Sequence, residues 1–151
     1  MTWHNGALSM ADDVLLNKVA AIERCTARAR EEYAADPDGF AKNFTRQDAA
    51  ILNIQRACEA VLNMGQHVIR RESLGLPQSA RDVFTLLAQA NWVDEALAES
   101  MKRMIGFRNV AVHEYQALQL PITVNIITHH LDEFTTFTRH ILLKDASSHQ
   151  P

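Results

Sequence analysis

The sequence predicts an all-α domain, an up-and-down bundle of about five helices, on three observations. Apolar residues recur at three- and four-residue steps along most of the chain, strand-like alternation is nearly absent, and Ser, Thr or Asp start signals stand ahead of the periodic runs. With 151 residues, 47% of them apolar and 22% charged, the chain has the length and apolar content for one core. A single domain over 1–151 follows, with short polar tails at about 1–9 and 145–151.

The first helix is expected from about residue 12 to 33, with Ser9 and Asp12 in capping-box spacing at its start. Asp36-Pro37-Asp38-Gly39 then makes a turn, because Pro presets φ while Asp and Gly suit tight corners. Thr45 and Asp48 repeat the start signal, and Ile51, Ile54, Cys58, Val61, Leu62, Val68 and Ile69 follow at helical steps to about Arg71. Ser73-Leu74-Gly75-Leu76-Pro77 interrupts the period. Ser79 with Asp82 caps a short third helix through about Ala90, carrying Val83, Phe84, Leu86 and Leu87. Past a joint at Asn91-Trp92, a fourth helix from about Asp94 shows Leu97, Met101, Met104 and Ile105 on one side. Pro121, suited to a first helical position, opens a fifth with Ile122, Ile126, Leu131, Phe134, Phe137 and Ile141 on its apolar stripe.

Charge and cysteine usage narrow the function classes. The formal net charge of -3 lacks the basic excess of a general nucleic-acid binder, so any RNA contact has to be local. The acid-free run from Ser100 to His113 holds Lys102, Arg103 and Arg108, and Arg70 and Arg71 join it if the fold brings them near. Cys25 and Cys58 lack CxxC spacing and sit in helical runs, so they read as small buried hydrophobes in a reducing compartment. No apolar run approaches the roughly 20 residues of a membrane span, and the opening residues lack a signal-peptide pattern, which points to a cytoplasmic protein.

The chemistry concentrates at the end of the fourth helix, in Arg108-Asn109-Val110-Ala111-Val112-His113-Glu114-Tyr115. An Arg can grip a phosphate through parallel charge-assisted hydrogen bonds, and an imidazole moves a proton near neutral pH. Cleavage of RNA by its own 2'-hydroxyl needs those functions: a base for that proton, an acid for the leaving 5'-oxygen and a cation at phosphorus, with no metal required. His113 suits the proton transfers and Arg108 the phosphorus, while Asn109 is expected to hydrogen-bond His113 or its own backbone and orient the ring. On a straight helix Asn109 and His113 stack, but Arg108 lies about 140° around the axis from His113. Their convergence requires a bend, an irregular turn near Gly106, or a partner subunit's residues.

These residues, together with Leu52-Asn53-Ile54-Gln55-Arg56-Ala57-Cys58, His67-Val68-Ile69 and Gly75-Leu76-Pro77, carry a family likeness. The chain resembles the HepT-like proteins of the HEPN superfamily over roughly residues 10–143. The resemblance implies a homodimeric endoribonuclease toxin with Arg108 and His113 as its catalytic pair and no cofactor. It also implies an antitoxin, a minimal nucleotidyltransferase, that transfers AMP groups onto Tyr115. Many relatives carry an acid on the second helix where this chain reads Asn63.

Other readings of the same residues stand beside this one. His129 and His130 are adjacent and point about 100° apart, His4 and His149 fall in the tails, and no Glu-x-x-His pair recurs, so no metal site is expected. His67 and His140 read as polar-face or capping residues, and Met101 and Met104 as core. The competing function is a non-enzymatic dimeric adaptor that binds RNA, nucleotide or a nucleotidyltransferase, in which Arg108 grips a phosphate without turnover.

Overall fold

The structure is a computed structural model that describes residues 13–148; the Ser9–Asp12 start signal lies outside them. Six α-helices and two short 3₁₀ turns make up the described residues, with no strand among them. The helices are α1 (Asp13–Ala34), α2 (Phe44–Glu72), α3 (Ala80–Gln89), α4 (Glu95–His113), α5 (Leu120–His129) and α6 (Leu131–Ser148).

The long pair α1 and α2 form the spine, folded back on each other through the Asp36 turn. There the Asp36 carboxylate accepts from the Gly39 N–H at 3.1 Å, and the chain dips inward so that Phe40 is buried edge-on to Tyr33 at 5.2 Å between centroids. α2 begins one residue before Thr45, and Asn43 is its cap, accepting from the Arg46 N–H at 3.1 Å. Asp48 is therefore not a start signal, and its carboxylate has another partner, described below. α2 ends at Ser73, whose φ of 54° and ψ of 48° reverse the chain in the left-handed region, followed by Gly75 at φ 129°.

α3 starts with a reciprocal cap, the Ser79 hydroxyl accepting from the Asp82 N–H at 3.1 Å while the Asp82 carboxylate accepts from the Gln78 N–H at 2.9 Å. After the Asn91 joint, itself left-handed at φ 63°, the Asp94 carboxylate caps α4 by accepting from the Leu97 N–H at 2.7 Å. The core joins Leu15 and Ile22 of α1, Ile54 and Met64 of α2, Phe84 of α3, Met101 and Ile105 of α4, and Phe134 and Phe137 of α6. Phe84 and Phe137 meet edge to face at 5.7 Å, locking α3 to α6.

Two expectations need correction. The single fifth helix is two, broken at His130, where the His130 N–H closes α5 on the Ile126 carbonyl at 2.9 Å and the His130 ring pairs with Glu133 at 2.5 Å. Asp132 and Glu133 in the first turn of α6 favour a fresh helix start. Ile126, Leu131 and Phe134 keep helical spacing through the break, so the periodicity conceals it; Ile122 is half exposed rather than part of the core stripe. The region from residue 145 is likewise no loose tail up to Ser148: it continues α6, and Asp145 is 2% exposed in an ion pair with Arg71.

Gly65 sits mid-helix where α2 crosses α3, and an added Cβ there would stand 2.7 Å from Val83 Cγ1 and 3.1 Å from Leu87 Cδ1. Alanine gains roughly 1 kcal/mol of helix propensity, whereas forced overpacking costs roughly 1–3 kcal/mol. Gly65→Ala is therefore expected to be neutral to destabilising by up to about 2 kcal/mol, read as a lower urea midpoint with an unchanged slope.

Candidate active site

The end of α4 runs back along α2. Arg108, with its side chain 21% exposed, donates through Nε to Glu59 of α2 and through Nη1 to Asn109 Oδ1 at 2.7 Å. Seven residues on, the Tyr115 hydroxyl donates to Asp48 of the same helix. Asp48 and Glu59 are eleven residues apart, which puts them about 20° from each other on one face of α2 and roughly 16 Å apart along it. Thus α4's last turn, His113 and the following 3₁₀ turn (Tyr115–Ala117) lie along that face, between two carboxylates.

α4 is unbroken from Glu95 to His113 and closes with the Glu114 N–H on the Val110 carbonyl at 2.8 Å, so there is no irregular turn at Gly106. Arg108 and His113 therefore keep their helical divergence within one subunit. His113 is the last helical residue and is exposed, with no hydrogen-bond or ion-pair partner among the described residues. Asn109 braces the guanidinium rather than the imidazole. The donors of Arg108 beyond those two bonds meet no protein acceptor among the described residues, which leaves part of the fork available to an oxyanion.

Glu59 and Asp48 escaped the sequence reading. An acid does stand against the arginine, but it is Glu59, one turn before the exposed Asn63. Their shared face was the available signal, and it becomes meaningful only once α4 is known to run along it. Tyr115 lies beyond the end of α4, in the 3₁₀ turn, so it does not continue Arg108's face. Partial burial together with the hydrogen bond to Asp48 pushes its phenol up to about 12.

The outlying cations diverge from this site. Arg71 is held by Asp145 and by Glu72 at 2.9 Å, with its guanidinium 5.9 Å from the Trp92 ring centroid. Arg70 is exposed, but both residues sit roughly 16 Å of helix beyond Glu59, away from Tyr115. Lys102 lies 4.0 Å from Glu99, and Arg103 donates to the Ser100 hydroxyl at 3.2 Å on α4's outer side. Both cysteines are buried and free, and burial pushes the Cys58 thiol up, making it a poor nucleophile. Among the described residues no three His, Cys, Asp or Glu side chains are grouped to hold a metal ion, and no helix is long and apolar enough to cross a membrane.

The described residues thus form a helical bundle with an anchored arginine and an exposed histidine at one helix end. The profile described as "Ribonuclease HepT-like" matches residues 22–141, and the chain belongs to that family. It is 47% identical over 126 residues to the "mRNA nuclease HepT" of Shewanella oneidensis, covering 83% of this chain and 94% of that protein. Among solved structures, the tri-AMPylated Shewanella oneidensis HEPN toxin in complex with MNT antitoxin superposes with a TM-score of 0.83 at 46% identity, covering 87% of this chain and 98% of that one. A toxin–antitoxin complex with AMP-PNP does so with a TM-score of 0.83 at 45% identity, again covering 87% and 98%.

Tyr115 ionises above the ordinary phenol value of about 10, so its contribution to stability is present below that pH and is lost as pH rises toward about 12. The chain has only one other tyrosine, Tyr33. The difference in alkaline absorbance between wild type and Tyr115→Phe should show little phenolate from Tyr115 near pH 10, and Asp48→Asn should bring its ionisation closer to the ordinary value.

Proposed function

We propose that this protein is a metal-independent endoribonuclease toxin that cuts RNA with Arg108 and His113 and is neutralised by a nucleotidyltransferase antitoxin that adenylylates Tyr115. The observation that carries the reading is the Arg108 fork, clamped by Glu59 and Asn109 with donors left over, on the same helix end as an exposed His113. The mRNA nuclease and the AMPylated toxin among its relatives support it.

In this reading the imidazole of His113 takes the 2'-hydroxyl proton as that oxygen attacks phosphorus. The bond to the 5'-oxygen breaks, and a protonated imidazole returns a proton to it. Arg108 holds the phosphate and balances the charge that grows in the transition state. Because an unbroken α4 keeps the two groups apart around its axis, the complete site is assembled by a homodimer, with each subunit's pair facing the other's. The half-exposed Val112 and Leu52, beside His113 and on α2 respectively, support a covered face there. The cytoplasm is the compartment where such an enzyme meets its RNA. Lys102, Arg103 and Arg70 remain outer contacts to the strand, whereas Arg71, paired with Asp145 and Glu72, braces the fold.

Regulation uses Tyr115. Its oxygen attacks the α-phosphorus of ATP held by the antitoxin, pyrophosphate leaves, and the phenolic proton passes to a base. The attached AMP brings bulk and negative charge beside His113, which blocks the cleft and repels the RNA phosphate.

Purified wild type should cleave RNA in the presence of chelator. Arg108→Ala should fall about a hundred- to a thousandfold and His113→Ala about a hundred- to ten-thousandfold, with growth arrest in a bacterial host only for wild type. Equal behaviour of all three would instead favour the non-enzymatic adaptor. Mass spectrometry after incubation with the antitoxin and ATP should find AMP on Tyr115, and neutralised toxin bearing an unmodified Tyr115 would refute that arm.

A further inference from the structure

Beside Tyr115, on the side facing the start of α2 and α5, lies a hollow of about 300 Å³. Phe44, the first residue of α2, stands at its rim with 73% of its surface exposed. Asp48 and Tyr115 form one wall. Thr123, fully buried, contributes to the lining, and its hydroxyl has no hydrogen-bond partner among the described residues. A buried hydroxyl without a partner is costly, and such groups in a native fold point to a missing ligand or water. Tyr115 is two residues from His113, so their Cα atoms are at most about 7 Å apart.

We infer that this hollow is a subsite for one unpaired base of the RNA substrate, next to the scissile linkage, with Phe44 as its stacking platform and Asp48 as its base-reading acceptor. The inference rests on the nuclease reading for its substrate. A volume of about 300 Å³ is at the small end of ligand pockets, enough for a base but not for a helix of paired RNA. An exposed aromatic face is the feature that single-stranded RNA sites use, because every base has a π-face to offer. A phosphate is excluded by charge, since the nearest ionised group is the Asp48 carboxylate. One of its oxygens accepts from Tyr115, and the other has no protein donor among the described residues. That second oxygen suits an exocyclic amino group, as on cytosine N4 or adenine N6, and repels the O4 of uracil. Thr123, with a hydroxyl that both donates and accepts, can serve whichever ring edge reaches the floor.

The test measures binding and cleavage separately, using the full chain. In the His113→Ala background, which leaves the strand intact, fluorescence anisotropy compares labelled single-stranded oligo(rC) with oligo(rU). Oligo(rC) should bind several-fold tighter. Phe44→Ala should weaken both by about five- to a hundredfold, Phe44→Tyr should restore them, and Asp48→Asn should bring the rC to rU ratio to about one or below. Because Asp48→Asn also removes a negative charge, the ratio rather than the absolute affinity is the readout. With His113 intact, Phe44→Ala should raise KM for single-stranded RNA by the same factor and change kcat little. Wild-type affinity in Phe44→Ala with no rC preference overturns the subsite, even if the protein cleaves RNA normally. Unchanged RNA affinity in Phe44→Ala combined with slowed modification of Tyr115 also overturns it, assigning the hollow to the adenylyl group's adenine. A base preference without any cleavage by wild type would retain the subsite and sink the nuclease reading instead.

Discussion

The contact between Glu59 and Arg108 fixes how the end of α4 lies on α2, and the arrangement of the candidate site depends on it. The two helices already touch in the core directly beneath, where the buried Cys58 thiol donates to the Met104 carbonyl at 3.4 Å. The ion pair above that contact is partly solvated, with Glu59 44% exposed, so it adds only about 0–1 kcal/mol to stability. Its consequence is directional. With Nε held by Glu59 and Nη1 by Asn109, a flexible side chain becomes a braced fork whose Nη2 donors have no protein acceptor among the described residues.

From that anchor the chain returns to the same face of α2. It passes His113 at the helix terminus and reaches Asp48, which holds the Tyr115 hydroxyl. Two acids on one face of α2 thereby hold the two ends of the segment from Arg108 to Tyr115, with exposed His113 between them along the chain. In a protein of net charge -3, the proposed substrate would be matched locally, with an oxyanion at the arginine end and a neutral, donor-bearing group at the aspartate end. In the proposed regulation, a phosphate on Tyr115 would replace the proton that binds Asp48 and set two negative charges side by side, displacing the turn from its seat on α2.

Much of the architecture was legible in the chain. The helical period over residues 51–69 and the Ser79–Asp82 and Asp94 caps correspond to α2, α3 and α4 within a few residues, because an amphipathic stripe and a capping side chain are local signals. The break at His130 was hidden for the same local reason, as the apolar spacing carries through it while the chain changes direction. Asp145 was misread because a charged residue near a terminus is usually solvated; its partner, Arg71, lies 74 positions away and is invisible to any window of sequence.

What the sequence determined alone was which chemical groups stand together: Arg108, Asn109, His113 and Tyr115 are neighbours along the chain, and their spacing is covalent fact. The tertiary structure decided what each of them faces. Asn109 turned to the arginine, Tyr115 left the helix for Asp48, and Glu59 took the guanidinium, since those choices depend on the packing of α4 against α2 and not on position within either helix. Hydrogen bonds between residues 49 and 67 positions apart are made only when the core has already brought two helix faces together, which is why no reading of the segment by itself could supply them.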